Sequence, residues 1–207
     1  PMLLMIFLYS GCVAVAPESI AGEKERGTIA TMLITPIRRS YIAVGKILAL
    51  AVIALLSGAS SAVGTILALP KLMGGASDQV SAAIYGVKDY LVLAAVILST
   101  VLLLVTVISI LSAFAKTIKE AQTYAMPMMI LTMVLGITAM FGGGAKQTIG
   151  AYLIPLYNSV QCMVGVFSFS TLTAGVAATL AVNGACTVLG VVILARMFNS
   201  EKIVFSR

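Results

Sequence analysis

Long apolar runs separated by short polar connections make up most of this 207-residue chain. A bilayer core of about 30 Å takes about 20 helical residues at 1.5 Å each, and most of the runs have that length. Residues 1–16 read as a partial span, residues 47–69 as a second, 90–115 as a third, 124–141 as a fourth and 171–195 as a fifth. None of these runs contains Asp, Glu, Lys or Arg. The pattern predicts an all-α fold, a polytopic transmembrane helical bundle of about five spans forming one domain over residues 1–207.

One stretch departs from this rhythm. After the glycine-rich Gly142–Lys146 connection, residues 147–170 are mostly apolar but broken in the middle by Pro155 and Asn158. Each half is too short to cross a bilayer, and two short helices dipping in from one face would satisfy their own backbone groups. Asn158 stands where it would cap the second half-helix. The alternative is a sixth span kinked at Pro155, which would move Arg196 to Arg207 to the opposite side.

Composition agrees with a membrane solvent. Apolar residues are 60% and charged residues 10% of the chain, whereas a soluble domain has about a quarter of its residues charged. The mean hydropathy is +1.11. The net charge of +6 reads as topology rather than nucleic-acid binding, because no basic run exceeds Arg38-Arg39 and no Trp or aromatic cluster interleaves the charges. Lys24, Arg26, Arg38, Arg39, Lys46, Lys116, Lys119, Arg196, Lys202 and Arg207 fall on one side of the five-span layout, and Lys71, Lys88 and Lys146 on the other. Positive charge stays inside, so the first set and the C-terminus are expected in the cytoplasm. The chain opens inside an apolar run, without a charged leader or cleavage site, and reads as a fragment lacking N-terminal sequence.

Residues 17–46 carry the densest charge. Glu18, Glu23, Lys24, Glu25 and Arg26 precede Ile29, Met32 and Leu33, whose i, i+3, i+4 spacing predicts a short amphipathic helix. Thr35-Pro36 should end it. Two readings stay open on physical grounds. The helix lies on lipid with its acids solvated, or a protein partner on the cytoplasmic side meets the mixed charges, since anionic lipid repels carboxylates.

Glu23-x-Glu25-Arg26-Gly27-Thr28, then Leu33-x-Thr35-Pro36, then Gly45-Lys46 entering a span, resemble the signature of the type-two ABC exporter permeases, in their sodium-efflux (NatB-like) branch. Pro155-Leu156-Tyr157-Asn158 and Phe198-Asn199-Ser200-Glu201-Lys202 are similar to that branch too. The resemblance implies a membrane permease domain of an ATP-driven exporter in a bacterial or archaeal inner membrane. It implies an ABC ATPase subunit as partner, carrying the ATP and Mg, and a second permease subunit, identical or not, across the lipid bilayer. The residues it implies for ATPase coupling are Glu18, Glu23, Glu25, Arg26, Gly27, Thr28, Met32, Leu33, Thr35 and Pro36. Pro155 and Asn158 would belong to an extracellular gate. A full-length member would add an earlier span and a large extracellular insert before Pro1. Ala30 departs from the pattern, where many relatives carry an acid.

The uncharged spans narrow the mechanism. Ion-coupled carriers keep ionisable groups at membrane depth, so an ion-coupled secondary transporter or channel is the alternative rather than the first reading. The three cysteines are far apart and histidine is absent, which gives no disulfide framework or zinc site. Gly142-Gly143-Gly144-Ala145-Lys146 lacks the Ser/Thr of a phosphate loop. No ATP site, cofactor or enzyme chemistry is expected in this chain.

Overall fold

In a computed structural model the described residues are 1–28, 39–72, 86–141, 145–146 and 148–199, and every element among them is helical. Six helices are α1 (Met2–Pro17), α2 (Arg39–Leu72), α3 (Val87–Phe114), α4 (Ile118–Phe141), α5 (Tyr157–Phe167) and α6 (Thr173–Asn199), with a 3-10 stretch at Ile149–Leu153. Uninterrupted Leu, Ile, Val and Ala make helix the form that satisfies every backbone group without water. Among the described residues, four stretches are long and apolar enough to cross a membrane, Met2–Glu25, Lys88–Phe114, Ile118–Thr138 and Thr173–Phe198, and α2 contributes the shorter apolar helix Tyr41–Ser57.

The first helix runs further than its apolar residues. It passes through Pro17, widens into a π-helical turn at Glu18–Gly22, and finishes with one more turn at Glu23–Glu25. Pro17 has no N–H to give the preceding turn, and an adjoining π-turn is a usual way for a helix to absorb such a mismatch. The stop comes at Gly27, whose φ of +73° is the left-handed geometry that glycine adopts beyond a helix end. The charged residues 18–25 therefore stand on the same rod as the first apolar run.

α3 is the centre of the bundle and touches α1, α2, α4, α5 and α6. Val96, Thr100, Val101, Leu104, Val105, Ile108 and Ser112 are shielded along its length. α1 runs antiparallel to α2, with Gly11 against Ala54 and Ser57. It also runs antiparallel to α4, with Gly136 against Met2 and Gly22 against Ile118. Tyr9 donates a hydrogen bond to the Ala125 carbonyl, just before Pro127 in α4. α3 and α6 run parallel, since Asn183 bonds Ser99 and, one register further, Gly190 meets Thr106. A Cβ on Gly190 would lie 2.3 Å from Thr106 Cγ2, so the approach needs glycine.

These directions sort the ends. Residues 18–28, the start of α2, the α3–α4 turn and Arg196 at the finish of α6 share one end. Met2, Gly136, Lys88 and Lys146 lie toward the other.

The interrupted segment differs from the two short helices expected. Its first half is the 3-10 stretch alone, because Gly150 and Pro155 bracket too few residues for a regular helix. The chain reverses at Leu156, at φ 67° and ψ −46°, and returns as α5. Cys162 lies against Thr179 and Gly165 against Thr171, so α5 runs antiparallel to the first half of α6. Asn158 is not the N-cap residue of α5, although its Oδ1 accepts from the first-turn Ser159 N–H. Leu156 is the N-cap residue, and the Asn158 side chain turns inward to Asn183.

Candidate functional site

At the charged end, the last turns of α1 hold three other helices. Lys46 of α2 pairs with Glu23 at 2.6 Å and donates to the Ser19 carbonyl at 3.0 Å. Only 10% of the Lys46 side chain is exposed. Lys24 Nζ reaches the carbonyls of Ala113 and Ala115, each at 3.1 Å. Those carbonyls end α3, where the helix dipole and its unpaired acceptors favour a cation. Glu25 Oε2 accepts from the Ile118 N–H at 3.1 Å, the first residue of α4, where a carboxylate is favoured in turn. Glu120 closes the same turn, accepting from the Lys116 N–H at 2.8 Å, while the Thr117 hydroxyl accepts from the Glu120 N–H at 3.2 Å.

Glu18 and Arg26 form an exposed pair at 3.5 Å. Such pairs contribute about 0–1 kcal/mol, so this contact organises little. Thr28 Oγ1 donates to the Glu23 carbonyl at 3.2 Å. Met32, Leu33, Thr35 and Pro36, with the stripe at Ile29, lie outside the described residues.

A second polar cluster sits among the apolar helices. Asn183 Oδ1 accepts from Asn158 Nδ2 at 3.0 Å, and Asn183 Nδ2 donates to Ser159 Oγ at 3.0 Å and Ser99 Oγ at 3.3 Å. Thr100 Oγ1 lies 2.8 Å from Ser159 Oγ, and Asn158 Oδ1 accepts from the Ser159 N–H at 2.6 Å. Asn158, Ser159, Asn183 and Thr100 are fully buried. The cluster therefore joins α3, α5 and α6 at the foot of the reversal. Pro155 stays exposed beside it while Leu156 is buried. Tyr152, also buried, donates to the Lys146 carbonyl at 2.9 Å. A Cβ on Gly175 of α6 would lie 2.8 Å from its ring.

Between α1 and α4 lies a mostly apolar cavity of about 320 Å³, lined by Ile6, Tyr9, Ser10, Val13, Gln122 and Met129 among others.

Sequence reasoning singled out Glu23, Glu25 and Asn158 but not the side chains and backbone groups they bond to in the bundle. Lys24, Lys46 and Ser19 were legible only as charge and polarity near a membrane edge. Asn183 is the one Asn within the fifth apolar run, a signal that a buried polar partner exists but not which one.

A bundle of long apolar helices around α3, with charge at the ends and hydrogen-bonded uncharged polar groups inside, defines a multi-pass helical membrane protein. Within that class the chain belongs to the ABC-2 family of transporter proteins, whose family model matches residues 2–198. It is 29% identical over 165 residues to the ABC transporter permease protein NatB of Bacillus subtilis (strain 168), an alignment covering 76% of this chain and 41% of that protein. The chain thus spans less than half the length of that relative. No solved structure matches. Family membership makes this a membrane subunit in which neither an ATPase domain nor a cofactor is expected.

Proposed function

We propose that the chain is the permease part of an ATP-driven exporter. A separate ABC ATPase docks on the segment between Glu18 and Lys46, and a second permease subunit completes the transporter. The observation that carries the reading is the meeting of this segment with the α3–α4 turn at one cation-rich end, through Lys24 and Glu25. A displacement applied there reaches α3, and α3 touches every other helix. The cation-rich end is then cytoplasmic by the positive-inside rule. The reversal at Pro155 and Asn158 lies toward the outside as a gate. The spans would alternate their access as the ATPases close on ATP.

The resemblance of the 23–46 segment and its flanks points to export rather than import and, through its branch, to sodium as one candidate cargo. The absence of charged residues from the apolar runs weakens that candidate. Among the described residues, the buried oxygens gathered in one place within the spans are uncharged, those of Asn158, Ser159, Asn183, Thr100 and Ser99.

The test uses the full-length permease. It is expected to co-purify with an ABC ATPase and to support ATP-dependent efflux of radioactive sodium. Met32→Asp with Leu33→Asp should abolish co-purification by placing charge on the apolar stripe. Co-purification untouched by that pair of changes would sink the docking assignment. ATP-dependent movement of other solutes but not of sodium would sink the cargo.

A further inference from the structure

In the resemblance, Glu23 and Glu25 are contacts for the ATPase, but one oxygen of each carboxylate is already engaged within the bundle, and the second oxygen of Glu23 is buried there. Glu23 faces Lys46 of α2 at 2.6 Å, Lys24 holds the two terminal carbonyls of α3, and Glu25 holds the first N–H of α4. Gly22 lets the helices close up, since a Cβ there would come within 3.2 Å of Ile118 Cδ1. The partners are backbone ends and a shielded lysine rather than flexible surface side chains. Pulling Glu23 from Lys46, or Lys24 from the end of α3, would leave a poorly solvated charge or unpaired terminal carbonyls. The exposed Glu25 adds orientation at the start of α4. The two arms of the docking segment also meet here, because it leaves α1 after Glu25 and re-enters at α2, where Lys46 returns to Glu23 and Ser19.

We propose that Glu23, Lys24, Glu25 and Lys46 are positioning residues that form a clasp joining α1, α2, α3 and α4, and that they pass on the displacement of the docked segment without touching the ATPase. The proposal rests on the exporter reading and assigns these residues to transmission instead of binding.

The experiment uses the full-length permease co-purified with its ATPase, carrying Gly150→Cys as a reporter at the opposite end. Gly150 is exposed, with open space around it. The readout is the rate of labelling by a membrane-impermeant maleimide, without nucleotide and with ATP plus orthovanadate. The parent complex should show a nucleotide-dependent change. Lys24→Met and Glu25→Gln should keep the bound ATPase and reduce that change roughly tenfold, within the usual range of coupling between linked sites. Lys24→Arg should retain it. Glu23→Lys and Lys46→Glu should each reduce it, and the charge-swapped double variant should restore most of it, a rescue that simple loss of packing does not produce.

Loss of the ATPase from folded variants would make these residues docking contacts and overturn the proposal. Undiminished nucleotide response, or a parent complex with no response at residue 150, overturns it as well. Where Lys24→Met aggregates, the Glu23 and Lys46 singles and their swap decide alone, and a swap no better than the singles counts against the clasp. A parent permease that retains no ATPase overturns the exporter reading, and the clasp with it.

Discussion

Asn183 uses both ends of its amide inside the bundle, accepting from Asn158 and donating to Ser159 and Ser99. Two magnitudes bear on its worth. A buried polar group left without a partner costs about 1–3 kcal/mol. Measured interhelical hydrogen bonds in membrane proteins average about 0.6 kcal/mol, because the polar groups find other partners. The second figure governs where partners are plentiful, and here Ser159 retains Thr100 and Asn158 when Asn183 is lost. Among the described residues, Asn158 Nδ2 donates to Asn183 alone. Asn183→Ala is therefore expected to lower stability by about 1–2 kcal/mol, read as a lower unfolding midpoint in detergent. Asn183→Asp should cost more, since it places a carboxylate among fully buried neighbours. Equal midpoints for Asn183→Ala and the parent would show that the cluster holds α5 weakly.

At the scale of elements, helix packing turns on a few close approaches. Gly190 fits against Thr106 only because it has no Cβ. Thr106 is β-branched and held by its hydroxyl to the Leu102 carbonyl at 2.7 Å, so it has little freedom to yield. Gly190→Ala should destabilise by about 1–3 kcal/mol, the usual range for overpacking. Thr106→Ala removes the offending Cγ2 and should recover most of the loss when combined with it. The check is a double-mutant cycle on thermal midpoints. Additive losses would mean that α3 and α6 do not meet at this point.

The apolar runs at 90–115, 124–141 and 171–195 overlap α3, α4 and α6 because lipid leaves an apolar segment few choices but helix. Tertiary facts were harder to read. Pro17 looked like a boundary, yet the helix continues to Glu25 because a π-turn accommodates the proline. Asn158 looked like a cap, and its Oδ1 does meet the first-turn Ser159 N–H, but its amide nitrogen bonds across helices to a partner 25 positions away in sequence. Local signals announce local structure. The pairings of Lys24 with α3 and Glu25 with α4, across some 90 positions, exist only once the bundle has formed.

For the whole molecule, α3 connects the two polar regions. Lys24 grips its last turn at Ala113, while Ser99 and Thr100 meet the reversal 14 and 13 residues earlier. At 1.5 Å per residue that is about 20 Å of continuous helix, stiff enough to carry a displacement from one end toward the middle. α6 runs beside it in parallel, wedged at Gly190, and ends with Arg196 near the cation-rich end.

The direction of any transport depends on which end faces the cytoplasm. Lys24, Arg26, Lys46, Lys116, Lys119 and Arg196 gather at one end, against Lys88 and Lys146 toward the other. In the orientation proposed above, which the positive-inside rule favours, the first end is the cytoplasmic one. Arg26 offers a reporter there, with 66% of its side chain exposed, and Gly150 offers one on the opposite side. In intact cells a membrane-impermeant maleimide should label Gly150→Cys and spare Arg26→Cys. In inverted vesicles the preference should reverse. Cys12 and Cys162 are buried and should give little background, and the half-buried Cys186 is replaced by serine in the parent. Labelling of Arg26→Cys in intact cells would invert the topology, place the α1 clasp outside, and leave a cytoplasmic ATPase nothing to push on at that end.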